Sequence, residues 1–138
     1  MKTCAAWIAL VAAVWPAAAA AQTAASYPAK TIRIIVPLAP GGNVDLVVRA
    51  LAQSLGESVG QQVIVDNRPG ASSLVGTQLA AKSPPDGYTL LAMANTFAMV
   101  PSIVSNPGYD PFRDFGAVTL TCLVPQVLVV NPALPVAT

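Results

Sequence analysis

Short apolar runs alternate with segments of helical spacing from residue 30 onward. Ile32, Ile34, Ile35 and Val36 lie in a run, Thr31–Leu38, that is apolar on both faces, as expected of a strand buried in a parallel sheet. Val44, Val47, Val48, Leu51 and Leu55 then recur at spacings of three and four, with Arg49, Gln53 and Glu57 between them. That pattern predicts an amphipathic helix over Val44–Leu55, stopped by Gly56 and Gly60. A second strand of the same type is expected at Gln62–Asn67 and a short helix at Leu74–Lys82. Ser83-Pro-Pro-Asp-Gly87 is a turn, Tyr88–Ala94 a third strand, and Phe97–Val104 a helix that Pro101 limits. After a Pro- and Asp-rich loop at Pro107–Phe115, two more strands are expected at Val118–Val124 and Val127–Val130. The order β-α-β-α-β-α-β-β means an α/β domain with a mainly parallel sheet.

Three strand-to-helix turns follow from this order: Ala39 to Asp45, Asn67 to Ser73, and Ala94 to Phe97. In a parallel sheet all of them lie at the carboxyl edge, where open α/β sheets bind ligands. In the first, Pro37-Leu-Ala-Pro-Gly-Gly-Asn-Val-Asp45, the glycines allow a sharp turn, Asn43 is a good N-cap, and Asp45 suits the positive end of the helix dipole. Such a loop is expected to leave outward N–H groups for an anion, although a strand–helix turn with no ligand has the same pattern. Glycine amides, Asn43, Ser72, Ser73, Asn95 and Thr96 are uncharged donors, and Arg68 is the one cation within these turns. The set suits a small carboxylate held by neutral groups.

The chain has 138 residues, of which 54% are hydrophobic and 9% charged, and on that balance it looks like a membrane protein. Much of the apolar excess lies at the start, however. Lys2, the run Ala5–Trp15 and the alanines up to Ala21-Gln22 describe a secretory signal peptide over 1–21, with cleavage between Ala19 and Gln22. A membrane anchor would need a longer unbroken apolar run, and Pro16 interrupts this one. The mature product is therefore expected to be exported and soluble. Without Lys2 its charge is near zero and no basic patch remains, which argues against nucleic acid and anionic membranes as partners. Cys122, in an apolar run, is expected to be a small buried hydrophobe without a disulfide partner.

Catalytic chemistry has little to work with. There is no histidine, and a lone cysteine has no activating partner. The acids Asp45, Glu57, Asp66, Asp86, Asp110 and Asp114 are scattered, and the one i, i+4 pair among them, Asp110 and Asp114, sits in a loop that suggests capping. No metal centre, cofactor or catalytic residue is expected, and neither phosphate-loop pattern is present.

Several longer motifs point to a family. Tyr27-Pro-x-Lys-x-Ile-Arg-Ile-Ile-Val-Pro-Leu-Ala-Pro-Gly-Gly-x-x-Asp45 resembles the N-terminus of the Bug receptors, the periplasmic substrate-binding proteins of tripartite tricarboxylate transporters (TctC family). Leu55–Ala71, Ala80–Leu91, Tyr109–Phe115 and Val129–Pro135 extend the resemblance over the mature chain in order. The resemblance implies a type II periplasmic-binding-protein-like lobe and capture of an organic carboxylate for membrane transporter components, without catalysis. It carries the ligand-binding role onto Ala39, Pro40, Gly41, Gly42, Asn43 and Asp45, then Gly70, Ala71, Ser72 and Ser73, and more weakly onto Asn95 and Thr96. Family members usually have a small residue where Asn43 stands and glycines where Ser72 and Ser73 stand. They are also roughly twice as long, so the expectation is an N-terminal part of lobe 1 over 22–123 and a crossover strand over 124–138, with the second lobe missing. A receptor fragment without function, or a small exported enzyme using Asp45 or Asp66 as a base, are the alternatives.

Overall fold

The computed structural model describes residues 27–125, 127 and 129–131. The predicted signal peptide and the final turn after Asn131 lie outside the described residues. The chain forms two compact units, one running to Ala94 and one from Asn95 onward.

The first unit is built on strand β1, Ile32–Val36, which is flanked by β2, Val63–Asn67, and β3, Thr89–Leu91. All pairs are parallel and the order is β2-β1-β3. The β-branched run is thus the central strand, with Ile32, Ile34, Ile35 and Val36 all buried. Helix α1, Asn43–Val59, crosses between β1 and β2 and lays Val48 and Ala52 on Ile34 and Val36. It runs straight through Gly56 and ends at Gly60, whose amide returns to the Gly56 carbonyl at 3.0 Å. The expected stop at Gly56 is therefore one turn too early. The buried stripe is also narrower than the periodicity predicts: Leu51 is exposed, while Asp45 takes a place in the core.

Helix α2, Leu74–Ala81, follows β2 through the tight helical turn Ala71–Ser73. Its approach to the sheet depends on Gly76. A Cβ there would lie 2.6 Å from the Pro37 Cβ and 2.8 Å from the Arg68 carbonyl oxygen. The helix therefore rests directly on the end of β1, and Thr77 is buried beside it with its hydroxyl donating to the Ser73 carbonyl at 2.8 Å.

In the second unit α3, Thr96–Ile103, contains Pro101. Proline has no N–H to return to the carbonyl four residues back. That carbonyl belongs to Phe97, and the Tyr109 hydroxyl donates to it at 3.0 Å. Phe97, Tyr109 and Phe115 pack ring against ring, which gives the unit a small aromatic core. Asp110 and Asp114 cap their own loop, as their positions suggest: Asp110 accepts from the Phe112 and Arg113 amides, and Asp114 from the Asp110 amide.

Among the described residues, the strands expected after this loop are not seen. Residues 118–125 carry no strand, nor do the described residues between 127 and 131. A strand exists through its pairing, and among the described residues the sheet contains β1, β2 and β3 alone. Without a neighbour, Val118, Leu120 and Leu123 stay exposed, and Cys122 is exposed where burial was expected.

Gly76→Ala offers a test of the packing. Helix propensity alone favours alanine by about 1 kcal/mol. The contact with Pro37 should reverse the sign, destabilising the protein by roughly 1–3 kcal/mol in urea unfolding, as overpacked sites do.

Candidate functional site

β1 and β2 both end at the carboxyl edge of the sheet, so the loops that follow them rise side by side. Two backbone-level ties join their bases. The Arg68 amide donates to the Val36 carbonyl at 2.8 Å, and the Asn67 side-chain amide reaches the Leu38 carbonyl at 3.3 Å.

The stronger tie is made by Asp45. Its side chain is 2% exposed, and it points back from the first turn of α1 into the loop that precedes it. Oδ2 accepts from the Gly41 amide at 2.9 Å and from Arg49 Nε at 3.0 Å, while Oδ1 accepts from Asn67 Nδ2 at 2.9 Å. Arg49 also donates through Nη2 to the Asn67 Oδ1 at 2.9 Å. Asp45, Arg49 and Asn67 thus close a ring of hydrogen bonds that links helix, loop and second strand. The hydrogen bond from Arg49, then those from Gly41 and Asn67, hold the Asp45 carboxyl down from its ordinary 3.8 to about 2.

The Gly41 amide is accordingly turned inward, not outward as the loop pattern alone implies. Its φ of +84° explains why glycine stands there. Gly42 is the N-cap of α1, with an extended backbone and no side-chain cap, and Asn43 is the first helical residue instead of the cap. The opening amides of α1 therefore have no capping side chain and no partner one turn back. Ala39, Pro40, Gly41, Gly42 and Asn43 are all exposed around them.

In the second loop Ala71, Ser72 and Ser73 take φ values of +45°, +54° and +74°. Three successive left-handed residues that are not glycine cost on the order of 1 kcal/mol each. This conformation gives a physical reason why glycines suit the places of Ser72 and Ser73. Ser72 is exposed, and Ser73 is buried over Thr77. Arg68 is drawn off along the strand edge by Asp66, at 2.9 Å and 3.0 Å, and does not stand free in the turn. Asn95 and Thr96 belong to the second unit. Asn95 precedes α3 in helical conformation without a side-chain cap, and Thr96 is the helix's first residue.

Two participants were not singled out from the sequence. The spacing alone places Arg49 on the solvent face of the helix and Asn67 at the start of a turn. The signal for Arg49 was present, since Asp45 and Arg49 stand at the i, i+4 spacing of a helical ion pair. Asn67 has no comparable local mark.

Residues 47–138 match the tripartite tricarboxylate transporter family receptor, TctC. The chain belongs to this family. It is 43% identical over 118 residues to protein BugT of Bordetella pertussis strain Tohama I, a match that takes in 84% of this chain and 36% of that protein. Among solved structures it resembles the periplasmic binding protein BugD, with a TM-score of 0.62 and 42% identity over 64% of this chain and 30% of that one. MatC from Rhodopseudomonas palustris, solved with bound malate, superposes with a TM-score of 0.61 at 29% identity over 64% of this chain and 31% of that chain. The TctC chain described here thus spans about a third of the length of the curated relatives it matches. These likenesses agree with the α/β, mainly parallel architecture expected of a type II periplasmic-binding-protein lobe.

Two measurements test the site's construction. A group whose carboxyl is depressed in the folded state contributes stability that is fully present above its unfolded value and is lost as pH falls through the folded one. Tm should therefore drop as pH falls from about 4 to about 2, and Asp45→Asn should flatten that part of the curve relative to wild type. Ser72→Gly should raise stability by about 0.5–1 kcal/mol through relief of the left-handed backbone, net of the added freedom of the unfolded chain.

Proposed function

We propose that this chain is the carboxylate-binding part of an exported, periplasmic solute receptor that delivers a small organic acid to the membrane components of a tripartite tricarboxylate transporter. The observation that carries this reading is the uncapped start of α1 at Gly42, held beside the Ser72–Ser73 loop by the Asp45 ring. Helix-start amides attract anions through their N–H groups and the helix dipole. Family membership, and the malate bound by MatC, support a dicarboxylate or similar acid as the ligand class. In this reading Ala39, Pro40, Gly41, Gly42 and Asn43 form one wall and Gly70, Ala71, Ser72 and Ser73 the other. Asp45 acts from behind the loop. Residues 1–21 direct export and are removed, and 22–123 form the N-terminal part of the binding lobe.

Nothing in this reading calls for a cofactor or metal. The alternative of a small exported enzyme using Asp45 or Asp66 as a base loses those bases. Asp45 is buried, saturated with donors and held well below the range of a general base, and Asp66 is engaged by Arg33 and Arg68.

Gly42→Asp separates folding from binding. The backbone at Gly42 suits any residue, and a Cβ there meets only the Ala39 carbonyl oxygen at 3.6 Å. An aspartate would cap the helix with its own carboxylate, raising stability by a few tenths of a kcal/mol. The same carboxylate would occupy the anion site. Calorimetry with malate should therefore show binding by the wild-type chain and none by Gly42→Asp. Wild type without heat, or a variant that binds equally well, would overturn the reading.

A further inference from the structure

Asp45 sets an electrostatic problem for any anion that approaches this loop. Its carboxylate lies 2.9 Å behind the Gly41 amide, so a full negative charge sits immediately under the surface offered to a ligand. Two like charges at such short range repel strongly in partly desolvated surroundings. The same loop nevertheless needs the carboxylate, because Asp45 fixes Gly41 and receives Asn67. Among the described residues its ion-pair partner is Arg49, at 3.0 Å and half exposed, so the charge stays near the surface without entering the loop. The Asn67 side-chain Oδ1 accepts from Arg49 Nη2 and fixes the plane of the guanidinium. Other cations of this unit are committed to other acids: Lys30 to Asp86, and Arg33 and Arg68 to Asp66.

We propose that Arg49 is a specificity-determining positioning residue: by cancelling the charge of Asp45 it makes the first loop receptive to a carboxylate without itself serving as the anchor. This inference rests on the carboxylate reading above. It assigns anion selectivity to a balance between two side chains behind the loop, in place of a cation within it. The ligand is thereby held by neutral amides, and the wall it meets is neither repelled nor salted shut by a free arginine.

A double-mutant cycle with malate as the probe tests this. Arg49→Gln should weaken malate binding by about tenfold or more, since it leaves Asp45 uncompensated. Arg49→Lys should restore most of the affinity, because it returns the charge if not the planar geometry. The double variant Asp45→Asn with Arg49→Gln, neutral at both positions, should bind malate several-fold more tightly than Arg49→Gln alone, though below wild type because the bonds of Asp45 to Gly41 and Asn67 are altered. A purely structural role predicts the reverse for the double variant, which loses more hydrogen bonds than either single change. Binding by Arg49→Gln equal to wild type, or a double variant as weak as the single one, would overturn the proposal. A ligand-free arm decides it even where malate fails to bind wild type, which is the failure of the carboxylate reading alone. The side-chain carboxyl of Asp45, followed by 13C NMR against pH, should titrate measurably higher in Arg49→Gln. An unmoved midpoint would mean that Arg49 does not compensate Asp45.

Discussion

A single buried carboxylate holds the carboxyl edge of this sheet together. Asp45 is placed by the first turn of α1, satisfied by the loop before it through Gly41, and tied to the second strand through Asn67. A buried charge is tolerated only when donors surround it, and here each donor comes from a different part of the chain. The electrostatic demand of one side chain thus becomes a geometric constraint on three segments. The parallel pairing of β1 with β2 brings the loops to the same edge, and the ring sets their spacing there. Gly76 completes the arrangement from the other side by letting α2 descend onto Pro37.

That construction also divides labour within the first loop. Gly41 faces inward and spends its amide on Asp45, whereas Gly42 leaves the helix start open. Adjacent glycines that look equivalent in the sequence thus have different duties. The second loop contributes differently again, through a run of left-handed residues whose conformation is held by the packing of Gly76 and by the Thr77 bond to Ser73. Backbone strain held by surrounding structure is a common property of binding loops.

Much of the architecture was legible because it rests on period and punctuation. The β-branched run Ile32–Val36 announced a strand buried on both faces of a parallel sheet, and the Pro-Gly and Pro-Pro-Asp-Gly turns marked the joints. The candidate loops were legible as well, and so was the family. Three things were not. Helix α1 outran Gly56 because a glycine within a packed helix costs only about 1 kcal/mol, less than the packing returns. Asp45 read as a dipole partner at the helix start, since nothing local says that Asn67, twenty-two residues on, would bond to it. The last two strands were inferred from apolar β-branched residues alone, and such residues form a strand only where another strand lies alongside.

The central claim is that the Asp45 carboxylate locks Gly41, and the Gly41 amide itself reports on it. Hydrogen exchange of that amide, followed by NMR at neutral pH in the protein without ligand, reads the lock directly. Although Gly41 is exposed in a loop, its amide should exchange far more slowly than an unstructured glycine, and Asp45→Ala should abolish the protection while the β1 amides remain protected. Fast exchange of Gly41 in the wild-type protein would contradict the account.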